Sequence, residues 1–332
     1  MTSIHDGAIL ASATGDGDVA VIERYRRELT GYCYRMLGSA FEAEDAVQET
    51  MVRAWRAFDR FEGRSQVRTW LYRIASNVCF DALASSQRRA RPMDLGPAGF
   101  ADTPLSPPLS ENVWIMPIPD QLVTAPADDP AEQVVHRESI RLAFVAALHH
   151  LPPRQRAAVI LHDVLRWSAK EIAELLDSSV ASTNSALQRA RATLAGIEPH
   201  AHAVSEPEDA ATLELLGRYV DAFERYDMDA LTAVVHEDAI QSMPPFEMWL
   251  RGADQLVKFW SGPGAECAGS RLVPTRANGC PAFGQYRPSG PGGAHEPWSL
   301  QVLHIEHDRI VEFTFFLDTA TLFPLFGLPP GL

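Results

Sequence analysis

The sequence predicts a multidomain chain: two all-α domains, the second carrying a helix-turn-helix, followed by an α+β domain. Three observations predict it. Helical periodicity runs through residues 19–91 and returns over 131–196, a proline-rich stretch separates the two blocks, and beyond residue 298 the apolar pattern changes to period two. A length of 332 residues gives about two domains as a prior and is enough to bury a core without disulfide or metal staples.

In the first block, residues 43–58 (AEDAVQETMVRAWRAF) place Val47, Met51, Ala54, Trp55 and Phe58 on one apolar stripe, with Asp45, Glu49 and Arg53 on the polar side. Residues 68–83 (RTWLYRIASNVCFDAL) repeat the pattern with Leu71, Ile74, Ala75, Val78 and Leu83. The glycine-containing FEGRSQ, residues 61–66, reads as the loop between them.

Residues 92–130 hold nine of the chain's 24 prolines, too many for a long helix. They read as an extended linker, and the apolar VWIMPIP within it favours a linker that docks over a free tether.

In the second block, residues 151–165 (LPPRQRAAVILHDVL) form an amphipathic helix whose prolines suit a helix start. Ser168 and Glu171 make an S-x-x-E capping box for the next helix. Asp177-Ser178-Ser179 interrupts the pattern, and Ser179 caps a further helix, VASTNSALQRARATL. Two short helices joined by a tight turn, the second polar and arginine-rich at its end, make a helix-turn-helix.

A shorter linker, residues 198–209, precedes the third domain, whose span is taken as 207–332. DAATLELLGRYVDAFERYD and MDALTAVVHED read as helices, and SLQVLHIEHDRIVEFTFFLD as two strands joined near His307 and Asp308.

The net charge of −14 argues against a nucleic-acid binder if the chain is taken whole. Its distribution does not. Residues 1–95 carry thirteen Arg against thirteen acids, 96–135 carry six acids and no base, 136–198 carry eight bases against six acids, and 199–332 carry eight bases against eighteen acids. The four cysteines lie far apart with no C-x-x-C, which excludes a disulfide scaffold and a zinc ribbon and fits a reducing compartment. The acidic N-terminus lacks a signal-peptide pattern, and no apolar run is long enough for a membrane helix, so a soluble, cytoplasmic protein is expected.

On the second helix of the helix-turn-helix, Asn184, Ser185, Gln188 and Arg189 share a face. Asn and Gln pair with adenine and Arg with guanine in the major groove, each worth about 1–3 kcal/mol of discrimination. In the first block Arg64, Arg68 and Arg73 interleave with Trp70 and Tyr72, the mix that holds single-stranded DNA, although the two rings alone would suit a core. His304 and His307 fall on opposite faces of a strand, so no metal ligand set is expected.

Taken together, DAVQETMVRAWRAFDRF, TWLYRIASN and LPPRQRAAVILHDVLRWSAKEIAELL followed by NSALQRARATL resemble the extracytoplasmic-function group of the sigma-70 family. The resemblance implies a sigma-2 helical bundle over 19–91, a linker over 92–130 and a sigma-4 helix-turn-helix over 131–196. It implies a factor that binds core RNA polymerase and directs promoter-specific initiation. Asp45, Gln48 and Glu49 would dock on the β′ clamp helices, with the β flap as a further contact. Arg64, Ser65, Trp70 and Asn77 would read and melt the minus-ten element of promoter DNA. Asn184, Ser185, Gln188 and Arg189 would read the minus-thirty-five element. Many relatives carry Arg on both sides of that serine. Asn184 and Ala186 stand there in this chain, so weaker phosphate contact is expected. The acidic linker would thread a channel built for RNA.

The third domain, with W-L-R-G at 249–252, resembles the SnoaL-like domains of the NTF2-like superfamily, which fold as a cone, and the whole chain is similar to the sigma-G and sigma-J types. Its SGPGGAHEP does not match the D-G-G-G motif of some such extensions. Cone domains often host enzymes, and His236, Asp238, His304 and Asp318 are the acid/base candidates. No constellation of base and oxyanion donors joins them, so a regulatory module is favoured, with no catalytic residue and no cofactor. An anti-sigma factor or a small apolar ligand are further partners this reading allows. Two alternatives stay open: a one-component regulator with a ligand-sensing cone, and a bifunctional protein with an isomerase or cyclase domain.

Overall fold

The computed structural model describes residues 16–61, 63, 65–84, 88–123, 130–197 and 209–332. Arg64, most of the acidic N-terminal stretch, and the second linker with His200 and His202 lie outside the described residues. The chain forms two compact units, Met1–Arg88 with Gln121–Pro199, and Arg89–Asp120 with His200–Leu332.

The first unit is all-α. It contains α1 (Asp16–Glu23), α2 (Arg26–Leu37), α3 (Ala40–Ala57) and α4 (Val67–Leu83). After α5 (Asp120–Val123), where the chain re-enters the unit, come α6 (Pro130–Glu138), α7 (Leu142–Leu148) and α8 (Pro153–Val159), the last continuing as a π-turn over Ile160–Val164. The helix-turn-helix is α9 (Ala169–Leu175) and α10 (Val180–Gly196). Gly38, at φ 73°, ends α2 in the left-handed conformation and passes straight to Ser39, whose hydroxyl accepts from the Glu42 N–H to start α3. Leu29, Tyr32, Cys33 and Met36 of α2 are fully buried, as are Leu71, Tyr72, Ala75 and Cys79 of α4.

α3 corrects one expectation. Val47, Met51, Ala54 and Phe58 are buried, but Trp55 is 59% exposed. It lies seven residues after Gln48, which at 100° per residue brings it within about 20° of that polar position. The i+8 spacing from Val47 puts it about 80° from the centre of the buried stripe, at its edge and not within it.

The second unit is α+β. α11 (Ala210–Arg225) and α12 (Met228–Val234) lead to β1 (Val235–Ser242), β2 (Trp249–Arg251) and α13 (Ala253–Ser261). β3 (Arg271–Ala277), β4 (Cys280–Arg287), β5 (Glu296–Glu306), β6 (Arg309–Phe316) and α14 (Thr319–Leu325) follow. One sheet runs β2-β1-β6-β5-β4-β3, with β1 and β6 parallel and the other pairs antiparallel. Its concave side closes over Leu215, Tyr219, Phe223, Leu256, Trp260 and Phe313. The helix expected over residues 228–238 ends at Val234, where β-branched Val234-Val235 turns into a strand that the period-3.6 reading had absorbed. Among the described residues no helix is long and apolar enough to cross a membrane.

Residues 89–120 pack on this second unit. Ala90 bridges Trp114, the Gly99 N–H bonds the Trp249 carbonyl at 2.8 Å, and the Leu109 N–H bonds the Pro245 carbonyl at 2.9 Å. The firmest attachment is at the β3–β4 turn. Asn278 and Gly279 have φ of 56° and 71°, the two positive values a type I′ hairpin turn demands. Fully buried Asn278 exchanges backbone and side-chain hydrogen bonds with Ile118, and the Gly279 N–H donates to Asp120 Oδ1 at 2.7 Å.

Asn278→Ala should therefore cost about 2–4 kcal/mol, from a lost buried hydrogen bond and a left-handed backbone. Asn278→Gly should cost less, because it keeps the turn. Amide hydrogen exchange at Ile118 checks this. It should accelerate by at least about tenfold in the Ala variant, and an unchanged rate would show that the turn does not hold the linker.

Candidate functional site

Three helices of the first unit carry the sequence-predicted residues. On α3, Asp45, Gln48 and Glu49 are all exposed, because Ala43, Ala46, Val47 and Thr50 turn the other way into the core. Phe41, Val52 and Trp55 share that outer face at 40, 39 and 59% exposure. Sequence reasoning missed these three. The signal was there: apolar residues on both sides of α3, more than one buried stripe uses.

On α4, Trp70 is half-buried and Asn77 exposed, seven residues apart and so on nearly the same side. Trp70 packs against Phe61 at 5.0 Å and Phe58 at 6.0 Å between ring centroids, which fixes one ring face at the mouth of the 61–66 loop. Ser65 is exposed in that loop. The interleaved basic and aromatic reading is only partly kept. Tyr72 is fully buried and donates to Glu28, which also accepts from Arg68 Nε at 2.7 Å. The Arg68 guanidinium stacks on Trp167 at 5.2 Å, so Arg68 and Tyr72 build the core. Arg73 is exposed and donates to the Glu174 carbonyl of α9 at 2.6 Å, which brings α4 and α9 into contact.

The helix-turn-helix is built as its caps dictate. Ser168 and Glu171 form the full capping box on α9, and the Ser179 hydroxyl accepts from the Ser182 N–H at 3.1 Å to start α10. Asp177, at φ 51°, makes the sharp turn between them. Thr183, Leu187 and Ala190 bury one side of α10. The opposite side carries Asn184, Ser185, Gln188 and Arg189, all exposed. Ser185 returns its hydroxyl to the Ala181 carbonyl, whereas the side chains of Asn184, Gln188 and Arg189 make no hydrogen bond to a described residue.

Arg191, on the same helix, is engaged differently. It binds Asp163 of the π-turn, which also accepts from His162 at 2.7 Å. Burial raises the Asp163 carboxyl, but the hydrogen bonds from Arg191 and His162 outweigh it and hold the net pKa below the ordinary 3.8.

In the second unit a cavity of about 440 Å³ opens between the concave sheet and α11 and α13. None of the four acid/base candidates lines it. His236 and Asp238 are exposed on β1, His304 faces Glu306 at 3.8 Å on β5, and Asp318 accepts from Thr321 beside α14. Among the described residues no cluster of His, Cys, Asp and Glu could hold a metal ion.

Comparison with known proteins matches this arrangement part by part. The family model for Sigma-70 region 2 matches residues 21–89, that for Sigma-70, region 4 matches 141–194, and that for the SnoaL-like domain matches 216–313. ECF RNA polymerase sigma factor SigG of Mycobacterium tuberculosis is 45% identical over 319 residues, covering 93% of this chain and 83% of that protein. ECF RNA polymerase sigma factor SigJ of the same organism is 29% identical over 252 residues, covering 74% of this chain and 72% of that one. The crystal structure of M. tuberculosis SigJ shares the fold, with a TM-score of 0.58 at 24% identity over 94% of this chain and 99% of that one.

Asp163→Asn should loosen α10 with a defined pH dependence. A carboxyl whose pKa is lowered on folding contributes stability above its unfolded value, near 4, and loses it as pH falls through the lower folded value. The wild-type advantage over the variant, read from denaturant midpoints of the first unit, should be full at pH 6 and shrink steadily as pH falls below the ordinary carboxylate range. A constant difference across that range would show that the ion pair contributes nothing.

Proposed function

The chain belongs to the extracytoplasmic-function sigma factors of the sigma-70 family, and on that premise we propose that it holds core RNA polymerase with the outer face of α3 and reads promoter DNA with α4 and α10. The observation that carries the DNA reading is α10 itself. It is a doubly anchored helix that buries one side and offers the side chains of Asn184, Gln188 and Arg189 to solvent without a hydrogen-bond partner among the described residues. Such side chains are free to pair with base edges in the minus-thirty-five element, and Ser185 lies among them against the backbone. Trp70 and Asn77, with Ser65 and Arg64 in the preceding loop, serve the minus-ten element. The ring seated on Phe58 and Phe61 is a firm surface for a base drawn out of the duplex. Asp45, Gln48 and Glu49 dock on the polymerase clamp, with Phe41, Val52 and Trp55 supplying apolar contact.

The reading has a mechanical consequence. The minus-ten and minus-thirty-five elements lie about 25 base pairs apart, ~85 Å of duplex at about 3.4 Å per base pair. α4 touches α9 and α9 touches α10, which puts the two reading helices within about 20 Å of each other at the usual 8–10 Å between packed helix axes. The sigma-2 and sigma-4 parts therefore separate when both elements are read.

The protein performs its role in the cytoplasm without covalent chemistry of its own, and the SnoaL-like domain modulates that role. The placement of His236, Asp238, His304 and Asp318 away from the cavity supports a regulatory over a catalytic domain.

Run-off transcription with purified core polymerase tests the reading. The full chain should yield promoter-specific transcripts. Trp55→Ala should weaken core binding by about tenfold or more, and Gln188→Ala with Arg189→Ala should lower output only from promoters with an intact minus-thirty-five element. Absence of any transcript, with tight duplex binding by the chain alone, would point to a one-component regulator. Spin labels on Asp81 and Glu174 should move apart when polymerase and promoter are added, and an unchanged distance would contradict the separation.

A further inference from the structure

Of the interleaved basic and aromatic residues on α4, Arg68 and Tyr72 build the core around Glu28, whereas Arg73 stays at the surface. Arg73 follows Trp70 by three residues and precedes Asn77 by four, so the three stand in one row on the outer side of the helix. A ring, a guanidinium and an amide in a row suit a single strand of DNA. The ring stacks on a base, the cation meets a phosphate, and the amide pairs with a base edge.

Arg73 is engaged from the sigma-4 side. Its Nη2 donates to the Glu174 carbonyl at 2.6 Å, in the last turn of α9. Carbonyls there lack intrahelical donors and carry the negative end of the helix dipole, so a guanidinium suits them. Arg154 of α8 serves a neighbouring one, that of Leu176, at 3.1 Å. The two bonds differ in what they join. Arg154 and α9 both belong to the sigma-4 part and move together. Arg73 belongs to the sigma-2 part, so its bond breaks when the two parts separate.

That bond is suited to breaking. It lies at the surface, where water takes over the Glu174 carbonyl at little cost. The guanidinium is then left available. Arg73 pairs with no carboxylate among the described residues, and the single acid of α4, Asp81, lies two turns on and faces Arg53 at 3.7 Å.

We propose that Arg73 is a gated promoter contact: with sigma-4 packed on α4 it caps α9, and with sigma-4 withdrawn it turns to a phosphate of the single-stranded minus-ten element, beside the bases held at Trp70 and Asn77. The inference rests on the proposed reading of that element by α4. The Glu174 carbonyl and the phosphate compete for one guanidinium. The strand therefore binds the separated arrangement more tightly than the packed one, and favours separation by the same factor.

The test uses holoenzyme assembled from the full chain and core polymerase. Its probe is a forked duplex, taken from a promoter that gives run-off transcripts, with the minus-ten non-template strand left single. Arg73→Gln should weaken binding by about tenfold. It should also make the fall of log K with log salt shallower by about 0.7, as expected for one phosphate on a single strand. Arg73→Lys should keep the wild-type slope. Replacing phosphates one at a time by uncharged methylphosphonates should find a position at which the wild type loses affinity and Arg73→Gln does not. In the full chain without polymerase, where sigma-4 stays packed, Arg73→Gln should make no difference to binding of the same probe. A wild-type slope in the Arg73→Gln holoenzyme, while Trp70→Ala still weakens binding, overturns the contact and leaves the reading by α4 standing. Insensitivity to Trp70→Ala as well brings down both. An equal loss in the free chain and in the holoenzyme overturns the gate.

Discussion

The first unit depends on two arginines that have given up water. Arg156 of α8 is buried and hands its guanidinium to four carbonyls: Met36 at the end of α2, Leu148 at the end of α7, and His149 and Leu151 just beyond. Arg35 of α2 reaches the other way, to the Ser139 hydroxyl and carbonyl past the end of α6 and to the Gly31 carbonyl. Burial pushes both guanidinium groups down to about 10, which still leaves them cationic at neutral pH. A buried cation is tolerable only when its N–H groups are matched, and carbonyls at helix ends suit it, because they lack intrahelical donors and carry the negative end of the dipole. Each helical block thus inserts one arginine into the other. Their packing is specific, and it comes apart only if these groups are hydrated again.

The second unit depends on a turn. Asn278-Gly279 closes the β3–β4 hairpin and at the same time presents a side-chain oxygen and two amides to Ile118 and Asp120. The sheet edge is therefore capped by chain from far away in sequence. That shows how a proline-rich segment with only short turns and one bridge of its own is held: part of its amides bond within it and the rest bond the sheet and its loops. The amides of Gly99, Ala101, Leu109 and Ile118 donate to the rest of the unit, while those of Asp94, Leu95, Thr103, Val113 and Trp114 donate within the segment.

Most of the helical architecture was legible because its signals are local. The capping box at Ser168, the cap at Ser179 and the polar face of α10 need only a few residues to read, and each takes the form its sequence dictates. The sheet was half legible. The β5–β6 hairpin alternates cleanly and turns at His307-Asp308. β3 and β4 were passed over although Asn278-Gly279 is the strongest short hairpin signal there is, because Pro274 and Pro281 flank it and proline reads as a strand breaker. The cavity was not legible at all. Its wall combines Gln241, Trp260, Gln285 and residues 102–105, which only the fold assembles.

The charge pattern follows the same division of labour. A chain of net charge −14 has to approach a polyanion. Charges farther apart than about 8–10 Å are largely screened at physiological salt, so the balance on the contacting element decides, and the whole-chain sum does not. α10 carries Arg189 and Arg191 and no acid, and α4 carries a single acid, Asp81, near its C-terminal end. Even there the two arginines are not equal. Arg191 is neutralised by Asp163 and serves to orient the helix, which leaves Arg189 as the cation α10 has to spend on DNA. The acids gather instead on α3 and in the second unit. On the proposed reading of α10, with so little positive charge on that helix, recognition rests on the geometry of Asn184 and Gln188 against base edges, and long-range attraction contributes little.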